Sequence, residues 1–323
     1  MTCVAATNWK TEDFVNTSIQ EIGRAIGQKR AIIGVSGGID SSVTAVLAAR
    51  AIKGNLTAVF VDHGFMREGE PEAVKETLKK LGVNLTVVQA SKPFLEKLKG
   101  VSDPEAKRKI IGKEFIRTFE RVAKMIRADY LLQGTIYPDR IESGIQKHSD
   151  KIKTHHNVAG LPTKVKFRGI VEPVKDLYKD ELRKVAASLG MPKDLVWRQP
   201  FPGPGLAVRI AGKVTRGKIS IIRKADKIVT EEIEHEGLNH DIWQYFAVLT
   251  GTKSTGVKGD SRAYGHTVAI RTVESREAMT ATFARIPYEL LERISTRITN
   301  ELPKVVRVVY DITHKPPATI EWE

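Results

Sequence analysis

The 323-residue chain carries 52 lysine and arginine residues against 38 aspartate and glutamate residues, a formal net charge of +14. This balance favours an anionic partner, such as a nucleic acid, a membrane surface or phosphorylated small molecules. Its length suggests two domains, and the 41% of hydrophobic residues suffices for an ordinary core. The single cysteine, Cys3, excludes disulfides within one chain and Cys-based metal clusters, so a reducing cytoplasm is the expected location.

Neither a signal peptide nor a membrane span is predicted. The first residues lack a basic segment followed by a continuous apolar stretch. No run of 18 apolar residues occurs in the chain. The densest basic stretch, 97–113, is interrupted by acidic residues and is typical of a solvated helix face.

Strands and helices alternate along the first part of the chain. The apolar patterns predict helices over 12–28, 41–52, 70–81, 105–127 and 178–189. They predict strands over 30–35, 56–61, 84–89 and 129–134. Such alternation predicts a parallel sheet with helices on both faces, in which ligands bind at the carboxyl ends of the strands.

The pattern changes twice further along the chain. Residues 135–169 show little periodicity and predict a lid or binding loop. "RQPFPGPGLAVR" (198–209) has three prolines and two glycines and predicts a boundary between domains 1–200 and 201–323. The second domain is predicted to be α+β, with helices and strands listed in chain order: helix 217–237, strands 243–250 and 264–274, helix 287–300 and strand 305–312.

The heptad "SGGIDSS" (36–42) lies between a predicted strand and a predicted helix. Glycines allow close approach to an anion, serine hydroxyls donate hydrogen bonds, and the helix start offers unpaired N–H groups, so the segment predicts a phosphate-binding loop. The Walker pattern is excluded because no lysine follows the glycines. Asp40 is explained if it holds Mg²⁺ beside the phosphates, and the alternative is an aspartate that caps the helix.

The heptad resembles the pyrophosphate-binding loop of the N-type ATP pyrophosphatases, which have an adenine nucleotide alpha hydrolase-like fold. Further stretches resemble the GMP synthetase family, among them "FVDHGFMREGE", "LLQGTIYPDRIES", "KTHHNVAGLP", "RQPFPGPGLAVRI" and "KPPATIEWE". The chain starts about 30 residues before the loop, so the resemblance is to the separate ATP-pyrophosphatase subunit of a two-subunit enzyme.

The resemblance implies a reaction and a set of ATP contacts. ATP would adenylate the C2 oxygen of XMP, and ammonia from a separate glutamine amidotransferase subunit would displace AMP to give GMP. The implied ATP-binding residues are Ser36, Gly37, Gly38, Ile39, Asp40, Ser41, Ser42 and Val61, with Asp40 also the Mg²⁺ ligand.

Asp139 is a catalytic candidate, with a plain turn aspartate as its alternative. Lys153, beside His155 and His156, is expected to neutralise phosphate charge on a closing lid; zinc is rejected at the histidine pair because no third ligand is suitably spaced.

XMP contacts are expected in the second domain, which the resemblance identifies as a dimerisation domain. The candidates are Gly203, Gly205, Arg262, Lys315, Ile320 and Glu321. The alternative to XMP binding at "PFPGPG" is a rigid hinge between the domains. The alternative for the C-terminal tail is that it only packs Trp322 against the second domain. His63, after the second strand, is either close to the adenosine or an ordinary loop residue.

Two other functions fit parts of the pattern. A tRNA-modifying ATP pyrophosphatase would suit the charge but usually has a nucleic-acid-binding appendage. A catalytically idle nucleotide sensor would not need the intact motifs. With ATP and XMP as polyanionic substrates, no nucleic acid and no membrane partner is expected.

Overall fold

The computed structural model describes residues 10–140, 165–275 and 278–323. They form two compact units. The first contains the described parts of 1–62, 71–89 and 113–198; the second contains 63–70, 90–112 and the described parts of 199–323. The changeover after Arg198 lies close to the boundary predicted at 200, but two earlier segments also join the second unit. Each unit is described by itself below.

A parallel five-stranded sheet is the centre of the first unit. Its strands are β1 (Ala31–Gly34), β2 (Leu56–Asp62), β3 (Leu85–Gln89), β4 (Tyr130–Leu132) and β5 (Gly169–Val171). Their order is β3-β2-β1-β4-β5. β1 is central, with Ile32 beside Thr57 on one side and Leu131 on the other, and Ile32 is fully buried. This strand order places the β1–β4 neighbourhood at a topological switch point, where parallel sheets bind ligands.

Helices alternate with these strands along the chain. They are α1 (Thr11–Ile26), α2 (Ile39–Ile52), α3 (Glu70–Lys80), α4 (Ser91–Lys97), α5 (Pro104–Met125), α6 (Lys179–Ser188) and the short α7 (Lys193–Val196); α4 and the start of α5 belong to the second unit. Right-handed crossovers place α2 on one face and α5, which returns the chain from β3 to β4, on the other. The alanine-rich α2 is buried on almost every side, which is why its sequence lacks an amphipathic pattern.

The second unit is built on an antiparallel hairpin. β6 (Gln244–Lys258) pairs with β7 (Ser261–Glu274), and β7 also pairs with β8 (Thr282–Phe283) and, in parallel, with β9 (Val305–Tyr310). Helices α8 (Arg216–His235) and α9 (Tyr288–Glu301) pack on this sheet and each other. Thr215 caps α8 by accepting the Lys218 N–H at 3.3 Å.

The predicted α/β domain followed by an α+β domain is confirmed, and two details differ. β5 was absent from the prediction because its three residues, Gly-Ile-Val, are too short for a period. β6 runs eight residues beyond the predicted end at 250, since its outer half is exposed and polar. No helix among those described is long and apolar enough to cross a membrane.

Candidate nucleotide-binding site

The loop between β1 and α2 is held by its own serines. Ser36 donates its N–H to Ser41 Oγ at 3.2 Å, and Ser42 Oγ donates to the Gly38 carbonyl at 2.8 Å. Gly37 has φ 83°, a left-handed conformation that glycine adopts without strain. These bonds fold the heptad into a turn that ends in the first turn of α2.

The start of α2 is open to an anion. Gly38 provides no side-chain cap, so the first N–H groups of the helix have neither an intrahelical nor a capping side-chain partner. The positive end of the helix dipole lies at the same place. The loop can therefore bind a phosphate through backbone N–H groups and serine hydroxyls.

Gly134 lets the segment after β4 approach this helix start closely. A Cβ at Gly134 would lie 2.8 Å from the carbonyl carbon and oxygen of Asp40 and 2.9 Å from the Ser41 nitrogen. No side chain fits there, which explains the glycine in "LLQGT". The carboxyl ends of β1 and β4 thus meet at the loop, as the topology predicts.

Two cations that sequence reasoning missed contact the loop. Lys179 Nζ, at the start of α6, lies 2.6 Å from Asp40 Oδ1, and both side chains are partly exposed. Arg198 Nη1 donates to the Gly37 carbonyl at 3.1 Å. Both residues lie well over a hundred positions from the loop in sequence, and no local pattern marks them. The geometry shows Asp40 to be an ion-pair partner, and no capping bond from its side chain is described.

The residues fit Mg²⁺ only if the ion arrives with phosphates. Among the described residues, no group of three or more His, Cys, Asp or Glu side chains is arranged to hold a metal. Mg²⁺ is commonly bound through one or two carboxylates plus substrate phosphates and water. Asp40, at the phosphate loop, suits that arrangement.

The remaining candidates of the first unit are placed differently. Asp139 Oδ2 accepts the Ile136 N–H at 3.1 Å, and Asp139 lies among residues 137–140, which are helical. Val61 lies in β2 with its side chain 3% exposed, so only its backbone is offered to a ligand. Lys153, His155 and His156 lie outside the described residues.

In the second unit, the "PFPGPG" segment forms a tight turn. Gly205 donates its N–H to the Pro202 carbonyl at 2.8 Å and has φ 62°. A Cβ there would lie 2.4 Å from the Phe65 carbonyl oxygen. The expected use of the Gly205 N–H for XMP is therefore corrected: the turn occupies it, and glycine is needed for close packing. At Gly203 a Cβ would meet open space.

His63 is buried beside this turn. Its ring lies between Phe65 and Phe94, at centroid distances of 5.3 and 5.6 Å, and its Nδ1 accepts the Phe65 N–H at 3.1 Å. Burial lowers the pKa of His63 to about 4, a hydrogen bond with the Gly203 backbone opposes that shift, and the Arg223 charge adds to it. His63 is thus a neutral packing residue of this unit.

The tail residue Glu321 joins a buried charge network. Its two carboxylate oxygens each lie 3.0 Å from Arg209, through Nε and Nη2, and Oε1 also accepts from Gln244 at 3.0 Å. Arg209 is fully buried and reaches Asp226 Oδ1 at 3.2 Å, while Asp226 also pairs with Arg67 at 3.3 Å. Burial would lower the pKa of Arg209, but the Glu321 and Asp226 carboxylates raise it.

Both backbone carbonyls and side chains of the tail make further contacts. The buried Arg271 donates to the Thr313 and Thr319 carbonyls at 2.6 and 3.0 Å. Lys315 Nζ donates to the Ala278 carbonyl at 2.6 Å, and Ile320 packs against Phe246, Val248 and Ala269. Trp322 is 38% exposed, and the tail is also held by the contacts of Glu321, Ile320 and Lys315.

Arg262 lies near the hairpin end of β7, and none of the tail contacts described above involves it. It is exposed near the turn of the β6–β7 hairpin and pairs in register with Val257. The described contacts do not bring it together with Lys315 or Glu321.

Two family models and several curated proteins match the sequence of this chain. Residues 9–126 match the family model NAD synthase, and residues 231–322 match GMP synthase C terminal domain. The chain is 54% identical over 323 residues to GMP synthase [glutamine-hydrolyzing] of Lactobacillus gasseri and 53% identical over 319 residues to that of Aeropyrum pernix. Both alignments cover 99% of this chain and 62% of the relative, so the chain spans less than two thirds of these relatives. The solved NMN synthetase from Francisella tularensis aligns with a TM-score of 0.48 at 13% identity, covering 72% of this chain and 94% of that one.

A glycine- and serine-rich loop on a parallel sheet, matched by the NAD synthase model, defines the class of the first unit: an NAD synthase-like, N-type ATP pyrophosphatase domain. The C-terminal match and the full-chain identities narrow that class. The chain belongs to the GMP synthase family.

Proposed function

We propose that this chain converts XMP to GMP, using ATP and ammonia. The observation that carries the proposal is the phosphate loop whose Asp40 faces Lys179 at 2.6 Å, in a chain that is 53–54% identical to GMP synthases along 99% of its length. An open helix start and two cations suit a polyphosphate that leaves during the reaction.

The reaction proceeds in two balanced steps. The C2 oxygen of XMP attacks the α-phosphorus of ATP, a new O–P bond forms, and the bond to the bridging oxygen breaks to release pyrophosphate. Ammonia then adds at C2, AMP leaves with the former C2 oxygen, and a proton is lost to give GMP. Such steps depend mainly on positioning and neutralisation of charge.

The described residues of the first unit have defined parts in this scheme. Ser36 to Ser42 bind the β- and γ-phosphates through N–H and hydroxyl groups, and Arg198 fixes the loop through the Gly37 carbonyl. Lys179 exchanges its bond with Asp40 for one with a phosphate oxygen when the nucleotide binds. Asp40 would then hold Mg²⁺, which would supply positive charge to the leaving pyrophosphate. Lys153 and Asp139 remain proposed catalytic residues.

XMP is proposed to bind in the second unit, where Lys315 and Glu321 supply charges of both signs. Glu321 keeps lone pairs for a ligand N–H or hydroxyl while Arg209 holds its orientation. Ile320, Gly203 and Arg262 complete the proposed contacts, together with Gly205 as a shaping residue. A homodimer through residues 201–323 is also proposed; light scattering that shows only fully active monomer at micromolar concentration would contradict it.

Ammonia supply is part of the proposal. The relatives' names describe glutamine-hydrolysing enzymes that are longer than this chain. We propose that a separate glutamine amidotransferase subunit delivers ammonia here.

The test is a product assay on the purified chain. We expect GMP, AMP and pyrophosphate in equal amounts from ATP, Mg²⁺, XMP and ammonium, and no GMP when glutamine replaces ammonium. Equal rates with glutamine would contradict the separate-subunit proposal. Formation of ADP and phosphate would contradict the pyrophosphatase chemistry.

A further inference from the structure

Helix α5 carries a line of cations that the proposed reaction does not use. Lys113, Arg117, Arg121 and Lys124 are all exposed and recur at intervals of four, four and three residues. Side chains at these intervals lie on one helix face, about 6 Å apart per four residues, so the line extends about 16 Å. We call these four residues the basic stripe.

An ion pair with Glu114 leaves one member of the basic stripe half exposed. Glu114 pairs with Arg117 at 3.3 Å, but the Arg117 side chain stays 47% exposed. Like charges one turn apart destabilise a helix. Helix α3 of the same unit shows the ordinary arrangement, in which exposed Lys75 and Lys79 alternate with Glu72 and Glu76.

The stripe leads away from the phosphate loop. Phe119 on the opposite, buried face of α5 lies close to Gly34, at the carboxyl end of β1. Just beyond the helix, the Ile126 carbonyl accepts a bond from Arg30, which precedes β1. The helix therefore runs from the loop edge of the sheet to the opposite edge. Arg121 and Lys124 follow Phe119 on the side away from the loop, so bound ATP does not explain these two cations.

The chemistry of this face selects among anionic partners. Phe119, Val122 and Ala123 are buried in the unit, and Met125, 74% exposed, is a single apolar side chain at the end of the helix, so this face lacks the apolar row that inserts into a membrane. Aromatic anchors of the kind that dominate protein interfaces and stack single-stranded bases are absent from the four stripe positions. Evenly spaced cations without such anchors suit a regular row of phosphates.

We propose that the basic stripe is a docking surface for the phosphate backbone of double-stranded nucleic acid, read without sequence preference. This proposal departs from the expectation that ATP and XMP account for the net charge. It is independent of the proposed enzymatic function.

The test measures binding of a fluorescent 20-base-pair duplex by anisotropy at several KCl concentrations. Four phosphate contacts predict that log K falls with log[KCl] with a slope of about −3.6. The variant Lys113→Gln/Arg121→Gln should lower the slope by about 1.8 and weaken binding at least tenfold at low salt, while GMP synthesis stays unchanged. The matched control Lys75→Gln/Lys79→Gln removes the same charge from α3 and should change binding less than threefold.

Three results would overturn the proposal. One is equal loss in the α3 control, which would mean attraction by net charge alone. Another is an absence of salt-dependent binding by the parent chain. The third is displacement of the duplex by polyglutamate at equal charge concentration, which would indicate an acidic protein as the partner.

Discussion

The ion pair between Lys179 and Asp40 gives the sharpest prediction, because its effects on stability and on activity should differ in size. The two side chains are 41% and 32% exposed, so solvent screens their 2.6 Å contact. Exposed pairs of this kind contribute about 0–1 kcal/mol. Lys179→Gln should therefore lower Tm by no more than about 4 °C, at about 2–4 °C per kcal/mol for a unit of this size.

Activity should respond much more strongly to the same change. If Lys179 transfers its bond to a phosphate oxygen, the variant loses a charge-assisted hydrogen bond of about 1.5–3 kcal/mol. The value of kcat/KM for ATP should fall about tenfold to more than a hundredfold. Lys184→Gln, an exposed lysine one turn further along α6, is the matched control and should change neither quantity.

Steady-state kinetics with ATP varied at saturating XMP, beside a thermal melt of each variant, decide the matter. A normal kcat/KM in Lys179→Gln would refute the role in phosphate binding. A Tm loss above about 8 °C with a matching loss of activity would show that the pair is structural.

Four further predictions concern Asp40, Glu321, Lys315 and His63. Asp40→Asn should abolish most turnover while Tm stays within a few degrees, and near-normal turnover at low Mg²⁺ would count against the metal-ligand role. Glu321→Gln leaves the buried Arg209 with Asp226 as its described carboxylate partner, so the free energy of unfolding in urea should fall by about 2–3 kcal/mol. Lys315→Ala should raise the KM for XMP about tenfold and leave the KM for ATP unchanged. Equal losses for both substrates would mean that the tail is purely structural. The folded-state pKa of His63, about 4, lies below the ordinary 6.5, so between these values the unfolded chain binds a proton that the folded protein does not. The free energy of unfolding should therefore fall as pH decreases from 6.5 towards 4, by up to about 3 kcal/mol. The urea midpoints at pH 7.5 and 5 should differ less in His63→Gln than in the parent, and an identical pH dependence in both proteins would show that His63 does not titrate this way.

The sequence predicts the parts of this fold whose signals are local. Strands β1 to β4 are short apolar runs between clear helix patterns. The heptad at 36–42 predicts both a turn and the start of the helix that follows it. Gly134 and Gly205 are visible as glycines in motifs, but the close approaches that require them appear only in three dimensions.

Long-range pairings could not be predicted from the sequence. Lys179 and Arg198 reach the loop because α6 and the segment after α7 fold back on β1, which no periodicity encodes. The tail illustrates the same limit: Glu321 is marked by resemblance, but its clamp to Arg209 depends on a contact between residues 112 positions apart. For His63 the sequence leaves two positions open, one close to the adenosine and one as an ordinary loop residue, and the packing of two phenylalanines around it decides its environment.

The central claim is that this chain transfers the C2 oxygen of XMP to the α-phosphorus of ATP. The most direct measurement uses XMP labelled with ¹⁸O at C2, incubated with the chain, ATP, Mg²⁺ and ammonium, followed by mass spectrometry of the products. The account predicts one ¹⁸O atom in the phosphate of each AMP formed and none in pyrophosphate. Unlabelled AMP, or label in inorganic phosphate beside ADP, would contradict it.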